Sequence, residues 1–173
     1  IGSPAVVQLL EVLIAFGVKK FISIGTAGTL QKNMRIGSLM VCDKAIRDEG
    51  TSHHYLKPSK YAYASKDMTN RLKKSLDKFN LPYIVGTSWT IDAPYRETVA
   101  EAKHYQAEGV YTVEMEASAV FAVAQHRNVE LGALLTISDS LAELEWKPQF
   151  HSIKTEKSLE TIYKVAVDAL LNN

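Results

Sequence analysis

A strand, a helix and a second strand follow one another in YTVEMEASAVFAVAQHRNVELGALLTISDS, residues 111–140. The first four residues read as a short strand, and residues 115–127 are rich in the small apolar side chains of a closely packed helix. Residues 129–138 are an almost unbroken apolar run, which is typical of a strand covered on both faces. This unit predicts an α/β protein with a buried central sheet.

The segments on either side continue the alternation of strands and helices. Ser3 and Pro4 open a first helix, whose apolar residues recur with a 3.6-residue period until Gly17. Residues 47–65 are polar and aperiodic and predict a long ordered loop over a site. Short links between elements predict one domain over residues 1–173, with a largely parallel sheet flanked by helices. The remaining strands are predicted at 21–24, 38–46 and 83–91, and the remaining helices at 66–79, 96–106 and 155–172.

Composition excludes several classes of protein. Among 173 residues, 20 Lys and Arg face 19 Asp and Glu, for a net charge of +1, and the basic residues are scattered, so we expect no nucleic-acid partner. The apolar run at 131–137 is far shorter than the roughly 18 residues of a membrane helix, so we expect no membrane partner. Cys42 is the single cysteine, which excludes a disulfide framework within the chain and favours a reducing, cytoplasmic setting. His53 and His54 are adjacent and lack metal-ligand spacing, so no metal is predicted.

The chain opens on apolar, fold-interior sequence without a methionine or a signal-peptide pattern. We therefore expect it to be the C-terminal portion of a longer protein, lacking the N-terminal part.

Residues able to perform chemistry follow three predicted strands at the point where each strand ends. They are Gly25–Gly28, Glu114–Glu116 and Ser138–Asp139. In open α/β sheets, ligands bind beyond the carboxyl ends of the strands. This convergence predicts a ligand site.

The GTAG segment has two interpretations. Its backbone N–H groups, with the Thr26 hydroxyl as a further donor, suit an anion such as phosphate. Alternatively, Gly25 and Gly28 serve only the dihedral angles of a tight turn.

Glu114 and Glu116 point the same way if the segment is extended, because side chains alternate along a strand. A carboxylate between an apolar strand and an apolar helix is costly unless its lone pairs are used. The vicinal hydroxyls of a ribose would supply two donors. Alternatively, one glutamate is solvated and the other stabilises the start of the helix.

Two further candidates have equally strong structural alternatives. Asp139 follows the most apolar strand and suits a proton donor, but Ser138, Asp139 and Ser140 are also good N-caps for a helix starting at Leu141. Trp89 could stack on a planar ligand, although a tryptophan in a strand commonly belongs to the core.

Five segments together resemble one known family. IGSP, GTAG, WTIDAPYRE, VEMEASA and TISDS occur in the order and approximate spacing of the nucleoside phosphorylase/uridine phosphorylase family, and the similarity covers almost the whole chain, as the last two-thirds of such a protein. The resemblance implies a three-layer phosphorylase-like fold with a mixed, partly barrel-like sheet. It also implies a homo-oligomer, either a dimer or a hexamer built as a trimer of dimers.

The implied reaction is reversible phosphorolysis of a ribonucleoside to a free base and ribose 1-phosphate, with nucleoside and phosphate as partners and no cofactor. By resemblance, Gly25 and Thr26 would hold phosphate, and Asp139 would protonate the leaving base, as in purine-type members. Pyrimidine-specific members carry a sequence like QGRYD, which is absent here. The other implied roles are ribose binding by Glu116, Met115 and Glu114, and base binding by Trp89 and Ser138.

Two departures keep alternatives open. Family phosphorylases commonly have an arginine two residues before the glycine segment, where this chain has Ser23. Related hydrolytic nucleosidases also lack that arginine, so hydrolysis is the first alternative. The absent N-terminal segment supplies a further phosphate-binding loop in the family, so a non-catalytic nucleoside-binding or assembly domain is the second.

Overall fold

Five strands close into a ring at the centre of the part of the chain that the structure describes, residues 1–171 of a computed structural model. The strands are β1 (Lys20–Thr29), β2 (Leu39–Asp48), β3 (Tyr61–Tyr63), β4 (Tyr83–Ile91), β5 (Thr112–Glu114), β6 (Glu130–Ser140) and β7 (Lys147–Pro148). They are hydrogen-bonded in the order β3-β2-β4-β5-β1-β6-β7, and an additional pairing of β2 with β6 closes the ring.

The two edges of β2 explain how the ring closes. One edge pairs in parallel with β4 along its whole length, with a register shift between Cys42 and Lys44. On the other edge, Leu39–Cys42 pairs antiparallel with β6, and Lys44–Ile46 then pairs antiparallel with β3. One strand therefore belongs to the barrel at its beginning and to an open sheet at its end.

The sheet is mixed, as predicted. The two longest pairings, β1 with β6 and β2 with β4, are parallel, and β4 with β5 is also parallel. The pairings of β1 with β5 and of β6 with β7 are short and antiparallel. The expected α/β architecture with a partly barrel-like, mixed sheet is confirmed.

Helices cover the sheet on separate sides. The helices are α1 (Ser3–Ala15), α2 (Lys66–Lys78), α3 (Val99–Ala107), α4 (Ala117–Arg127) and α5 (Ile153–Leu171), with short 3-10 turns at Thr51–His54 and Pro94–Arg96. Helix α1 packs on α4, and α2 packs on α5. Residue 172 of the helix predicted at 155–172 lies outside the described residues.

Alternation along the strands produces two of the three apolar clusters. Val41 and Leu134 pack with α2 and α5, whereas their neighbours Met40 and Leu135 pack with α1 and α4. Because successive side chains of a strand point to opposite faces, both faces of the ring are buried. A third cluster around Trp89 joins α3 to β2 and to the ends of β4 and β5.

Two strands continue well beyond their predicted ends. Strand β1 runs through the whole GTAG segment to Thr29, and β6 runs to Ser140 rather than to 138. The reason is that the two strands pair in parallel to their last residues, with a bulge between Ala27 and Gly28. Residues that were predicted to lie beyond the strands are therefore part of the sheet.

The polar segment at 47–65 is ordered by one buried guanidinium. Arg47 Nε donates a hydrogen bond to Ser52 Oγ at 2.9 Å, and Nη1 donates to the carbonyl of Lys57 at 2.8 Å and to Ser59 Oγ at 2.8 Å. The order predicted for this segment is present, with β3 and a 3-10 turn inside it.

Candidate active site

A cavity of about 480 Å³ opens where β1, β5 and β6 end. All three of the predicted strand ends contribute to its walls, and the polar segment at 47–65 does not, so the expectation that this segment covers the site is wrong for this cavity. The lining residues come from four regions and the first residue of the chain. The regions are Thr26–Gly28 with Val113–Glu116; Pro94, Tyr95 and Glu97; Ser138, Asp139 and Leu141; and Trp146 with Phe150; the first residue is Ile1.

The GTAG segment is extended strand rather than a turn. Gly25 and Gly28 are paired with β6 and have no left-handed φ, so the tight-turn interpretation is wrong. The segment does not lie beyond the strand end, as was predicted, but belongs to the ladder with β6. Thr26 lines the cavity and Gly25 does not.

The absence of a side chain at Gly28 has a steric explanation instead. A Cβ at this position would lie 2.7 Å from Asp139 Oδ2. The missing side chain therefore leaves room for the Asp139 carboxylate on the neighbouring strand.

Asp139 is buried and held by two donors. Ser138 Oγ donates to Oδ1 at 2.7 Å, and Trp146 Nε1 donates to Oδ2 at 2.9 Å. The interpretation of these residues as an N-cap is wrong, because no helix starts at Leu141 among the described residues. The chain instead turns back and pairs Pro148 with Asp139.

Glu116 is half-buried on the cavity wall and is tied to the start of the chain. The backbone nitrogens of Gly2 and Ile1 donate to Glu116 Oε1 at 2.6 and 2.9 Å, and Ser3 Oγ donates to the carbonyl of Met115 at 2.7 Å. Among the described residues, no donor reaches Glu116 Oε2. One carboxylate oxygen is thereby left to face a ligand, with Met115 beside it.

Glu114 lies two residues earlier and has a different role. Its Oε1 accepts from Thr90 Oγ1 at 2.5 Å, and its Oε2 accepts from the backbone N–H groups of Glu116 and Ala117 at 2.8 and 2.6 Å. Burial raises the pKa of Glu114 to about 7. The protein uses both oxygens of this carboxylate, so the structure favours the helix-stabilising interpretation over ribose binding.

Trp89 does not reach the cavity. It is 0% exposed, its Nε1 donates to Asp48 Oδ2 at 2.8 Å, and its ring lies 4.7 Å from that of Tyr105. The prediction that Trp89 stacks on a base is therefore corrected: the residue belongs to the core, the alternative that the sequence left open.

Four further cavity residues were not assigned a role from the sequence. Tyr95 is 93% exposed, and Trp146 and Phe150 lie with ring centroids 6.0 Å apart on the segment after β6. Glu97 follows the 3-10 turn, and its pKa is raised to about 7 by burial and then by the nearby charge of Asp139. The clustering of aromatic residues around PYRE and in EWKPQF was an available signal, but irregular segments carry no periodicity to position them.

The charged side chains that line the cavity are all acidic. Glu97, Glu114, Glu116 and Asp139 line it, and no lysine or arginine does so within the described residues. Ser23, at the position where an arginine was expected from the resemblance, pairs with Ala133 in the sheet. The arrangement suits a ligand rich in N–H and O–H donors with a planar apolar part against the aromatic side chains.

Within residues 1–171, no group of three or more His, Cys, Asp or Glu side chains could hold a metal ion. No helix in the same range is long and apolar enough to cross a membrane.

Comparisons with known proteins agree with the resemblance found in the sequence. The family model described as the phosphorylase superfamily matches residues 2–172. A protein named guanosine phosphorylase from Halorubrum lacusprofundi is 30% identical over 82% of this chain and 58% of its own length. A DeoD-type purine nucleoside phosphorylase from an Exiguobacterium species is 26% identical over 96% of this chain and 70% of its own length.

The fold is shared with a solved structure of similar kind. A purine nucleoside phosphorylase from Toxoplasma gondii, solved in complex with immucillin-H, superposes with a TM-score of 0.89 at 22% identity, covering 99% of this chain and 71% of that one. The chain thus spans between about half and three-quarters of the length of these relatives.

Proposed function

The chain belongs to the phosphorylase superfamily, and from that premise we propose that the protein catalyses reversible phosphorolysis of ribonucleosides, purine nucleosides being favoured. The products are the free base and ribose 1-phosphate. The observation that carries the proposal is the placement of Thr26, Glu116 and Asp139 on the walls of one cavity. The names of the guanosine and purine nucleoside phosphorylase relatives support the same reaction.

Each wall residue has a role in that reaction. Glu116 accepts hydrogen bonds from the ribose hydroxyls, Met115 packs against the sugar, and Thr26 donates to phosphate. A phosphate oxygen bonds to the anomeric carbon as the bond from that carbon to the base nitrogen breaks. The electron pair of that bond goes to the base, which Asp139 protonates. Fixed contacts to the sugar hold the reacting atoms close together and correctly oriented.

The surroundings of Asp139 support its use in this role. Ser138 and Trp146 each donate to one of its oxygens, so the carboxyl group has a defined orientation before the base arrives. Gly28, which lacks a side chain, leaves room for this carboxylate. These contacts fix the position of the carboxyl group, as a group that meets a departing base requires.

Hydrolysis by the same residues is the second candidate. Water would replace phosphate as the nucleophile, and the product would be ribose. A specific observation favours it: in the described residues, no lysine or arginine lines the cavity, and four carboxylates do. A phosphate dianion is poorly stabilised in such a field.

One experiment separates these candidates and the non-catalytic alternative. The protein is incubated with inosine, guanosine, adenosine and uridine, with and without phosphate, and release of free base is followed by chromatography. We expect release that requires phosphate and yields ribose 1-phosphate. Release without phosphate assigns hydrolysis, and saturable binding without release assigns a binding domain. Asp139→Asn serves as the control that release comes from this cavity.

The proposed assembly is a homo-oligomer in the cytoplasm, working without a cofactor. The outer face of α1 supports the assembly, because Leu9 and Val12 are 56% and 51% exposed there and Phe16, directly after the helix, is 83% exposed. Sedimentation equilibrium tests it, and a monomer at micromolar concentration would contradict it.

A further inference from the structure

Helix α4 begins at the cavity, and acceptors on two strands bind its first N–H groups. Its N-cap residue, Glu116, makes no side-chain cap of its own. The N–H groups of Glu116 and Ala117 donate instead to Glu114 Oε2 on β5, at 2.8 and 2.6 Å. The N–H of Ser118 donates to Thr90 Oγ1 on β4 at 3.0 Å. Acceptors outside the helix thus satisfy the groups that a helix start leaves without partners.

A further buried contact ties the same turn of α4 to the end of β2. Ser118 Oγ donates to Glu49 Oε1 at 2.8 Å, and the two residues are 0% and 4% exposed. The other oxygen, Glu49 Oε2, accepts from the backbone N–H of Ser52 at 2.9 Å. Ser52 is itself held by Arg47, whose Nε donates to its Oγ. The Glu49 carboxylate therefore joins α4 to the polar segment at 47–65.

Glu49 and Ser118 do not line the cavity, whereas Met115 and Glu116 do. Ser118 is only two residues after Glu116, so the contact that holds Ser118 also holds the backbone from which the Glu116 side chain extends. A hydrogen bond to a charged, buried acceptor is among the stronger ones in a protein. The position of Glu116 therefore depends on a residue outside the cavity.

The other end of the cavity is held independently of these contacts. Asp139 lies on β6 and accepts from Ser138 and Trp146. Loosening the start of α4 should therefore disturb the groups around Glu116 and leave the position of Asp139 unchanged.

We propose that Glu49 is a positioning residue for ribose recognition: through Ser118, it fixes the first turn of α4 and with it the Glu116 carboxylate. This inference rests on the proposed function, in which Glu116 accepts hydrogen bonds from the ribose hydroxyls. Such bonds weaken when donor and acceptor are displaced, so a binding carboxylate needs a backbone held within about 0.5 Å. Without the Glu49 contact, the protein should lose part of its preference for nucleosides that carry both hydroxyls.

The test compares inosine with 2′,3′-dideoxyinosine, which lacks both hydroxyls, as substrates of the wild type and of Ser118→Ala. This variant removes the hydroxyl that joins α4 to Glu49. We expect kcat/KM for inosine to fall by about 3- to 10-fold and that for dideoxyinosine to change little. A loss by the same factor on both nucleosides, or no loss on inosine, overturns the proposal.

Ser75→Ala is the matched control. Ser75 is also 0% exposed, and its Oγ donates to Asp168 Oδ2 at 2.7 Å between α2 and α5, away from this cavity. The control removes the same kind of bond, so it should lower the melting temperature by a similar amount and leave the ratio of the two kcat/KM values at that of the wild type. If Ser75→Ala changed the ratio as much as Ser118→Ala, the effect would come from lost stability and the proposal would be wrong.

Two further variants show whether the effect runs from Glu49 to Glu116. Glu49→Gln keeps one acceptor oxygen for two donors and should cause the same selective loss on inosine. If only Ser118→Ala caused it, Glu49 would not be the positioning residue. In a Glu116→Gln background, Ser118→Ala should cause no further selective loss, because the carboxylate that it positions is already absent. A full additional loss would contradict the role of Glu116 in the proposal.

A binding measurement separates this inference from the proposed function. Inosine and 2′,3′-dideoxyinosine are titrated by calorimetry, without phosphate, into the wild type and Ser118→Ala. If the wild type releases no base but binds inosine more tightly, and the variant loses that preference, the proposed function fails and the positioning role stands. If the wild type binds both nucleosides equally, or the variant keeps the full preference, the positioning role is overturned.

Discussion

The cavity has two walls of different construction. The strand wall, formed by the ends of β1, β5 and β6, holds Thr26, Glu114 and Asp139, and its carboxylates are buried and hydrogen-bonded. The loop wall, formed by residues 94–97 and 146–150, exposes 93% of Tyr95 and leaves Glu97 without a donor within the described chain.

The two walls suit different roles, one in reaction and the other in ligand selection. Groups that must meet a reacting atom need fixed positions, and the strands of a sheet supply them. Groups that choose among ligands can lie on connecting segments, which tolerate sequence change. We therefore expect changes on the strand wall to abolish reaction or folding, and changes on the loop wall to alter selectivity.

The largest effect is expected from Asp139→Asn. The variant cannot donate an acidic proton, and general acid catalysis contributes about 10²- to 10⁴-fold, so activity on inosine should fall by that factor. Activity on 7-methylguanosine should be largely retained, because its base already carries positive charge and leaves without protonation. The melting temperature should change little, since an asparagine amide can still bond to both Ser138 and Trp146. Equal losses on the two nucleosides would contradict the proton-donor role.

The next largest effects are expected from substitution of Glu116 and of Glu114, which lie two residues apart. Glu116→Gln should lower turnover by about 10- to 100-fold, since a bond to a charged acceptor is worth about 1.5–3 kcal/mol, while the melting temperature stays near that of the wild type. Glu114→Gln places an amide donor among backbone donors and should destabilise the fold by about 1–3 kcal/mol, lowering the melting temperature by about 2–10 °C.

Calorimetric melting and steady-state assays on both variants check this pair. If Glu116→Gln lowered the melting temperature and Glu114→Gln did not, the assignment of Glu116 to the ligand and of Glu114 to stability would be contradicted.

The same contrast explains what the sequence could predict. Alternation and strand ends brought Thr26, Glu116 and Asp139 to one site, because apolar periodicity locates strands and strand ends meet at one edge. Periodicity did not show that β1 continues through GTAG, since only the pairing with β6 decides this. It also did not separate Glu114 from Glu116, because the donors Thr90 and Ser88 come from a strand distant in the sequence. Tyr95, Glu97 and Trp146 lie on irregular segments, whose placement depends on tertiary packing.

A smaller effect is expected from Trp146→Phe, which removes a donor of the loop wall from a carboxylate of the strand wall. Trp146 Nε1 donates to Asp139 Oδ2, and phenylalanine keeps an aromatic ring on the cavity wall without that donor. Because one oxygen of the carboxylate is then no longer held, we expect kcat/KM for inosine to fall by less than about 10-fold. The fall should be smaller for 7-methylguanosine, whose base leaves without protonation. Equal falls on the two nucleosides in steady-state assays would show that the contact does not act through Asp139.

The smallest effect concerns the stability of the protein as a function of pH. Burial and the charges of Asp139 and Glu101 raise the pKa of Glu97 from 4.5 to about 7. The folded state therefore binds more protons than the unfolded state between these two values, and the contribution of Glu97 to stability is complete below pH 4.5 and is lost as the pH rises to about 7. Glu97→Gln cannot titrate, so its melting temperature should equal that of the wild type near pH 4.5 and exceed it slightly above pH 7. Glu114 titrates in both proteins and cancels in the difference. Differential scanning calorimetry from pH 4 to 8 measures this, and parallel curves for the two proteins would mean that solvent already satisfies the Glu97 carboxylate.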